Sequence, residues 1–169
     1  MVMKKCIIPG SYDPVTKGHV ELFKIASGMF SKVYVVILSN SEKKNGMFSG
    51  KERLEIIEAM TSELRSQGYS NIEPILFDGL TTDAARDLGA EYLVKGVRNT
   101  ADFAYEYDLS QITRRFDPAL KTVFIPSNAE LACVSSTYLR ELIKYGKWDS
   151  EDFADGTTDI IRNILTRNS

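Results

Sequence analysis

The sequence predicts an α/β protein, with a doubly wound, five-stranded parallel sheet, helices on both faces and a C-terminal helical extension. Three observations predict it. Short, nearly all-apolar segments rich in β-branched residues recur along the chain, as is typical of strands buried on both faces. Amphipathic helical patterns separate them, so strand and helix alternate about five times. The connections are short, and no internal repeat or long linker interrupts the 169 residues.

The first two strands give the strongest signal. KCIIP at residues 5–9 and VYVVIL at residues 33–38 are the most continuous apolar segments. Weaker segments of the same kind follow at residues 72–77, 92–94 and 122–125. Because all five are short and bounded by polar residues, they predict strands rather than buried helices.

The first three helices are predicted from apolar spacing and from their termini. Residues 18–30 place apolar side chains at i, i+3, i+4, i+7 and i+8, which gives one apolar stripe. Ser49 and Glu52 form a capping-box pair that begins a second helix. A third helix is predicted over residues 82–88 and ends at Gly89.

The later helices have weaker boundaries. The fourth is predicted to begin at Asn99 or Thr100 and to end before Pro118. Its aromatic side chains follow helical spacing and are interpreted as mostly core, namely Phe103, Tyr105 and Tyr107. A fifth helix begins near Ser136, and residues 148–166 are predicted to form a peripheral C-terminal helix.

Composition favours one domain over residues 1–169, with its core at about 4–145. The 21 Lys and Arg against 23 Asp and Glu give no electrostatic reason to expect nucleic acid. No run of eighteen apolar residues and no signal peptide is found, so no membrane partner is expected. Cys6 and Cys133 lie in apolar surroundings without a CxxC pair, which is typical of a cytoplasmic protein.

Polar and charged side chains follow the predicted strands. Because doubly wound sheets bind ligands outside the carboxyl ends of their strands, these loops are the expected site. Four of the five loops bring phosphate-binding cations or small hydroxyl groups to this rim, namely Ser11, His19, Lys43, Lys95, Arg98 and residues 135–137. The sequence therefore predicts a site for a small anionic ligand.

The loop after the first strand, PGSYDPVTKGH at residues 9–19, contains the sole histidine. It joins a strand to a helix, and free backbone N–H groups at a helix start face a bound anion. The first helical turn also disfavours a charged imidazolium at His19 until an anion binds. Neither GxGxxG nor GxxxxGK[ST] is present, which argues against a dinucleotide fingerprint and a P-loop.

The residue types present narrow the reaction class. No second histidine, no GxSxG and no reactive-looking cysteine is found, which disfavours triad-type acyl chemistry and a histidine-rich metal centre. No protein metal ligand is predicted. What remains is a site that aligns reactants and stabilises charge, as in phosphoryl or nucleotidyl transfer.

These residues resemble the bacterial phosphopantetheine adenylyltransferase family. PGSYDPVTKGH is similar to the nucleotidyltransferase signature that closes with a T-x-G-H form of the H-x-G-H motif. The similarity continues in the same order through SNSEKKNGMFS, LVKGVRNTADFAYEYDLSQITRR and CVSSTYLRELI, and covers roughly residues 4–145. The resemblance implies a Rossmann-like nucleotidyltransferase fold.

The resemblance also implies an activity. An adenylyl group passes from ATP to the phosphate of 4′-phosphopantetheine, giving dephospho-coenzyme A and pyrophosphate, the penultimate step of coenzyme A synthesis. The acceptor attacks directly and in line, without a covalent enzyme intermediate, and Mg²⁺ is held mainly by the ATP phosphates. A homohexamer and feedback inhibition by coenzyme A are implied as well.

Residue roles follow from the same resemblance. Catalysis is expected from Ser11, His19, Lys43 and Arg98. The acceptor is expected to bind Ser11, Lys43, Thr81 and Lys95. ATP is expected to contact Gly10, Ser11, Tyr12, His19, Gly96, Val97, Arg98, Glu106, Leu131, Ala132, Cys133, Val134, Ser135, Ser136 and Thr137.

Three positions depart from the family pattern. Lys95 stands where the family commonly has arginine, so a point charge replaces a bidentate fork. Ser11 replaces the commoner threonine and keeps the hydroxyl. KKNGMF carries one extra residue, so either Lys43 or Lys44 is the acceptor ligand.

Structural alternatives exist for several residues. Asp13 is interpreted as structural, bonding to the turn that follows it. Lys95 and Arg98 could instead pair with carboxylates of the fourth helix as surface ion bridges. One of residues 135–137 is expected to cap the fifth helix. Arg140 is treated as a surface charge, with a weaker possibility that it reaches a phosphate.

Two other functions stay open at this point. The chain could be an adenylyl- or cytidylyltransferase with another acceptor, such as nicotinamide mononucleotide or glycerol phosphate. It could also be a nucleotide-binding regulatory module without turnover. The acceptor used and the presence of turnover separate these functions.

Overall fold

The computed structural model describes residues 4–39, 46–128, 130–131 and 134–168. The strands are β1 (Lys5–Gly10), β2 (Lys32–Leu38), β3 (Ile72–Phe77), β4 (Tyr92–Val97) and β5 (Lys121–Pro126). The helices are α1 (Lys17–Met29), α2 (Gly50–Ser66), α3 (Thr81–Leu88), α4 (Thr100–Phe116), α5 (Ser136–Lys144) and α6 (Thr158–Arg167), with a 3₁₀ turn at Ser150–Asp152. Within these ranges, no helix combines the length and apolar character needed to cross a bilayer.

All five strands are parallel and lie in the order β3-β2-β1-β4-β5, which confirms the predicted sheet. The chain moves outward from β1 to β3, and then returns to the other side of β1 to form β4 and β5. The strand order therefore reverses between β1 and β4. Their carboxyl ends, Gly10 and Val97, border the crevice where sheets of this kind bind ligands.

Helices cover both faces of the sheet. Cys6 and Ile8 of β1 belong to a larger core packed with side chains of α1, α2, α5 and α6. Ile7, between them, belongs to a smaller core with Ala84 and Ala85 of α3. Because successive strand residues alternate between two buried faces, β1 has no solvent-facing side that would require polar residues.

Local signals set the helix boundaries as predicted. Ser49 and Glu52 form the capping box at the start of α2. Asn99, rather than Thr100, caps α4 with its side chain. Gly89 ends α3 in the left-handed conformation, with φ at 62°, a region that glycine enters without steric cost.

The C-terminal extension differs from the predicted peripheral helix. A 3₁₀ turn and a loop precede α6, and Gly156 adopts a positive φ of 79° between them. Phe153, Ile161 and Ile164 are fully buried in the larger core. The extension therefore contributes to the core: its apolar residues belong to the larger core or pack against it, and α6 contacts α2.

Helix α4 also differs from the prediction, because its aromatic residues are less buried than expected. Phe103, Tyr105 and Tyr107, interpreted from the sequence as mostly core, are 42%, 63% and 48% exposed. Ser110 is the buried residue of this helix. The helical spacing was predicted correctly, but all three rings remain largely exposed, although Phe103 makes an edge contact with Phe124.

Candidate active site

A cleft of about 440 Å³ opens at the carboxyl ends of β1 and β4, where the strand order reverses. Connections β1–α1, β4–α4 and β5–α5 all contribute to it. Thirteen of the predicted site residues line the cleft, namely Gly10, Ser11, Tyr12, His19, Lys95, Gly96, Arg98, Glu106, Leu131, Val134, Ser135, Ser136 and Thr137. Loops that are distant in sequence therefore meet in one place.

The remaining predicted residues lie elsewhere. Val97 is buried at the end of β4 and does not line the cleft. Thr81 lines a neighbouring cavity instead. Four more positions fall outside the described residues, namely Lys43, Lys44, Ala132 and Cys133. The choice between the two lysines therefore stays open.

The neighbouring cavity, of about 320 Å³, lies between α3 and α4. Most of its lining is apolar and includes Leu80, Leu93, Leu109, Ile112 and Phe116. Thr81, at the first position of α3, is one of seven polar or charged lining residues, whose polar atoms contribute little of the cavity surface. Lys95 and Glu106 line both cavities, so these two side chains mark the junction between a polar cleft and an apolar extension.

Helix α1 fixes both the place and the tautomer of His19. Thr16 is the N-cap, and His19 is the third helical residue. The Thr16 backbone N–H donates to His19 Nδ1 at 3.0 Å, and the Thr16 hydroxyl lies 2.9 Å from the same nitrogen. Because an Nδ1 that accepts a backbone N–H carries no proton, the neutral ring holds its proton on Nε2.

The surroundings of His19 keep it neutral. Burial, and then the positive charge of Arg98, lower the pKa of His19 to about 4. The rings of Tyr12 and Phe23 lie 5.0 and 6.5 Å from the imidazole, centroid to centroid. His19 is therefore a hydrogen-bond donor through Nε2 at neutral pH, rather than a charged acid.

The turn after β1 is tightly built. A Cβ added to Gly10 would lie 2.7 Å from the Tyr12 ring, so the ring requires glycine at that position. The Tyr12 hydroxyl donates to the Ile8 carbonyl at 2.7 Å, and the backbone of Tyr12 has a positive φ of 49°. Tyr12 lines the cleft although the whole residue is only 3% exposed and its hydroxyl is engaged.

Asp13 is structural, as predicted, but its partners are more distant than the following turn. Its carboxylate accepts the N–H groups of Met47 and Phe48, each at 2.9 Å. It also lies 3.9 Å from Arg140 Nη1. Asp13 therefore joins the β1–α1 connection to the segment that leads into α2 and to α5.

The hydroxyl residues that begin α5 have three separate roles. Ser135 is the N-cap, which confirms the predicted cap. The Ser136 hydroxyl donates to the Pro14 carbonyl at 2.8 Å, and the Thr137 hydroxyl accepts from Arg140 at 3.0 Å. The Ser136 bond joins α5 to the β1–α1 connection, whereas the other two contacts lie within α5 and its cap.

The two cations at the carboxyl end of β4, Lys95 within the strand and Arg98 just after it, both line the cleft, and both have carboxylate partners. Lys95 Nζ lies 3.0 Å from Glu106 Oε2, and Arg98 Nε lies 3.4 Å from Asp102 Oδ2. Burial raises the pKa of Asp102, but hydrogen bonds from Arg98 outweigh it and lower the pKa below its ordinary value. The ion pairs considered as an alternative therefore form at the cleft, where a bound phosphate must compete with the carboxylates.

Two arginines of the site were not identified from the sequence. Arg140 was treated as a surface charge, yet it lines the cleft. Its position one helical turn after Ser136 could have indicated this, because residues four apart share a helix face. Arg53 donates to the Ser11 carbonyl at 2.6 Å, and no sequence signal distinguishes it from other charged residues of α2.

Comparisons with known proteins identify the family. A family model described as cytidylyltransferase-like matches residues 7–142. A phosphopantetheine adenylyltransferase of Alkaliphilus metalliredigens (strain QYMF) is 39% identical over 167 residues, which cover 99% of this chain and 100% of that protein. The chain belongs to the phosphopantetheine adenylyltransferase family. A phosphopantetheine adenylyltransferase of Lactobacillus johnsonii is 42% identical, covering 85% of this chain and 84% of that protein.

Solved structures agree with the fold of a phosphopantetheine adenylyltransferase. A bifunctional NMN adenylyltransferase/ADP ribose pyrophosphatase from Francisella tularensis superposes with a TM-score of 0.72 at 16% identity. The match covers 97% of this chain and 49% of that protein, and at this identity it concerns the fold alone. Family membership confirms the predicted resemblance and makes the chain an enzyme of the nucleotidyltransferase class.

Proposed function

We propose that this enzyme transfers the adenylyl group of ATP to 4′-phosphopantetheine, giving dephospho-coenzyme A and pyrophosphate, the penultimate step of coenzyme A synthesis. The observation that carries the proposal is the junction of two unlike cavities at Lys95 and Glu106. The polar cleft suits ATP and the acceptor phosphate. The cavity between α3 and α4 suits the long, uncharged pantetheine arm, with Thr81 at its border.

The reaction is a direct displacement. An oxygen of the acceptor phosphate forms a bond to the α-phosphorus of ATP while the bond to pyrophosphate breaks, and pyrophosphate leaves with the electron pair. No covalent enzyme intermediate is needed, so the protein acts by alignment and by stabilising charge. His19 Nε2 and the Ser11 hydroxyl donate to the α-phosphate oxygens, where negative charge increases in the transition state.

Cations offset the repulsion between the reactants. Two unit charges 4 Å apart repel by about 4 kcal/mol at an effective dielectric of 20, and phosphates carry more charge than this. Lys95 holds the acceptor phosphate, together with Lys43 or Lys44, and Arg98 holds the ATP phosphates. The positions of Lys95 and Arg98 in one cleft support this division.

Mg²⁺ enters this proposal on the ATP phosphates. In the parts of the chain that the structure describes, no group of three or more His, Cys, Asp or Glu side chains could hold a metal ion. No step is therefore assigned to a metal held by the protein. The chain's own residues bind, orient and neutralise the phosphates.

The assembly and regulation implied by the family belong to the same proposal. A homohexamer is supported by the exposed aromatic side chains of α4, which other copies of the chain would cover. Coenzyme A carries the same pantetheine arm as the product, so it would compete for the cavity between α3 and α4 as a feedback inhibitor. A cytoplasmic location is supported by the free, buried Cys6.

Pyrophosphate release tests the function. Wild-type protein is incubated with Mg-ATP and 4′-phosphopantetheine, nicotinamide mononucleotide or glycerol phosphate, and the products are identified by mass. We expect turnover with phosphopantetheine, and a loss of at least about 100-fold in kcat for His19→Ala with little change in ATP affinity. Turnover with nicotinamide mononucleotide alone, or ATP binding without any product, contradicts the proposal.

A further inference from the structure

Side chains from two other helices hold the turn that follows β1. The Ser11 carbonyl accepts from Arg53 Nη1 of α2 at 2.6 Å. The Asp13 carbonyl accepts from Arg140 Nη1 of α5, also at 2.6 Å. Hydrogen bonds from guanidinium groups are among the stronger ones in proteins, so these contacts fix the peptide planes of the turn.

The contact with Arg53 determines the orientation of the Ser11–Tyr12 peptide. In a trans peptide the carbonyl and the N–H point in opposite directions. Because the carbonyl is directed to Arg53 on α2, the Tyr12 N–H points away from α2. No described group accepts a hydrogen bond from this N–H. Because Tyr12 lines the cleft and its N–H has no acceptor among the described residues, this N–H can donate to an anion bound there.

The backbone of this peptide also needs support. A positive φ of 49° at Tyr12 is unfavourable for a residue with a side chain, because the Cβ approaches the following carbonyl oxygen. Such a conformation persists only where neighbouring contacts hold it. The Arg53 bond holds the peptide directly before the strained residue. The side chain of Tyr12 is held by the bond from its hydroxyl to the Ile8 carbonyl.

Arg53 lacks the hydrogen-bond and ion-pair partners expected of an arginine that only stabilises the fold. No carboxylate lies within ion-pair distance of it among the described residues, and its Nε is buried there without a hydrogen-bond partner. Burying a guanidinium with an unpaired N–H is unfavourable. Among the residues that the structure describes, no carboxylate therefore compensates the charge behind the turn, where it favours a bound anion and polarises the Ser11–Tyr12 peptide.

We infer that Arg53 is a positioning residue for nucleotide binding: it fixes the Ser11–Tyr12 peptide so that the Tyr12 N–H and the Ser11 hydroxyl face the phosphates of ATP. Arg53 does not line the cleft, so it acts through Ser11 and Tyr12 rather than on the substrate. The inference rests on the proposed function, since it assumes a nucleotide in this cleft. A lysine could supply the charge at position 53, but not the planar donor.

The test compares Arg53→Ala and Arg53→Lys with Arg65→Ala, a control at an exposed arginine of the same helix. ATP affinity is measured by calorimetry, kcat and KM by pyrophosphate release, and folding by thermal unfolding. Loss of one hydrogen bond from a charged group predicts a loss of about 10- to 100-fold in ATP affinity and in kcat/KM for ATP with Arg53→Ala. We expect a smaller loss with Arg53→Lys and none beyond twofold with Arg65→Ala. Millimolar guanidinium should restore part of the activity of Arg53→Ala alone.

The inference is overturned if Arg53→Ala binds ATP as Arg65→Ala does. It is also overturned if activity falls only together with the unfolding temperature and guanidinium restores nothing. Failure of the proposed function looks different. If wild-type protein makes no dephospho-coenzyme A, yet Arg53→Ala still binds ATP more weakly than Arg65→Ala, the acceptor is wrong and the positioning role stands.

Discussion

At His19, the hydrogen bond accepted by Nδ1 determines that Nε2 carries the proton and can act as a donor. The Thr16 N–H occupies Nδ1 at 3.0 Å, and a protonated ring would bring a second N–H against this donor. Protonation therefore breaks the capping interaction, in addition to the burial and the Arg98 charge that lower the pKa. The imidazole keeps one orientation and one available proton, as a transition-state donor requires.

The pKa of His19 can be measured directly, because the chain has a single histidine. We expect the Hε1 resonance of the untagged, ligand-free protein to titrate with a pKa of about 4. A non-hydrolysable ATP analogue should raise the pKa, because a nearby phosphate favours the charged ring. A pKa near the ordinary value of about 6.5 in the free protein would contradict this description of the site.

The same lowered pKa sets a pH dependence of stability. Between about pH 6.5 and pH 4 the unfolded histidine binds a proton that the folded one does not. The free energy of unfolding should therefore fall by roughly 1–3 kcal/mol as the pH falls through this range, and His19 adds no slope above it. Urea unfolding at pH 7 and pH 5 checks this. Between pH 7 and pH 5, the free energy of unfolding of His19→Asn should fall less than that of the wild type. An equal fall in both proteins would show that another group is responsible.

Lys95 should act on one substrate only. Lys95→Ala removes the cation at the cavity junction and leaves the Glu106 carboxylate unpaired, so repulsion adds to the lost attraction. We expect KM for phosphopantetheine to rise about 10- to 100-fold, the scale of one lost charged hydrogen bond, with KM for ATP nearly constant. Lys51→Ala, at an exposed position of α2, is the control. A rise confined to KM for ATP would contradict the assignment.

At the scale of elements, α6 completes the core rather than covering it. Ile161→Ala removes a fully buried side chain and should lower the free energy of unfolding by about 2–5 kcal/mol. Ile160→Ala, at the preceding and only partly buried position, should lower the free energy of unfolding clearly less. Equal losses in chemical unfolding would indicate that α6 packs differently.

The same elements show what a sequence can predict. β1 and β2 were predicted because burial on two faces leaves a continuous apolar signal, and the caps at Ser49 and Asn99 because capping is local. The burial of α4 and α6 was predicted wrongly, because spacing identifies an apolar face but not what covers it.

Much of the cleft was predicted, since parallel strands bring their carboxyl ends to one edge. Arg53 was not, because only the folded chain joins α2 to the Ser11 carbonyl.

At the scale of the whole molecule, α4 presents aromatic side chains on the outside of the fold. Tyr105 of α4 is 63% exposed, and Tyr145, after α5, is similarly exposed at 68%. We expect wild-type protein to sediment as a hexamer in analytical ultracentrifugation, and Tyr105→Asp to shift it to smaller species. Tyr145→Asp is the matched control and should leave the assembly intact. A monomeric wild type, or the same shift in both variants, would contradict the proposed interface.

One cleft and its apolar extension should hold both reactants for direct transfer. A crystal structure with dephospho-coenzyme A tests this arrangement most directly. We expect the diphosphate within hydrogen-bond distance of Ser11 and His19 Nε2, and the pantetheine arm passing Lys95 into the cavity between α3 and α4. A product bound with its diphosphate away from His19, or with its arm outside that cavity, would contradict the proposed function.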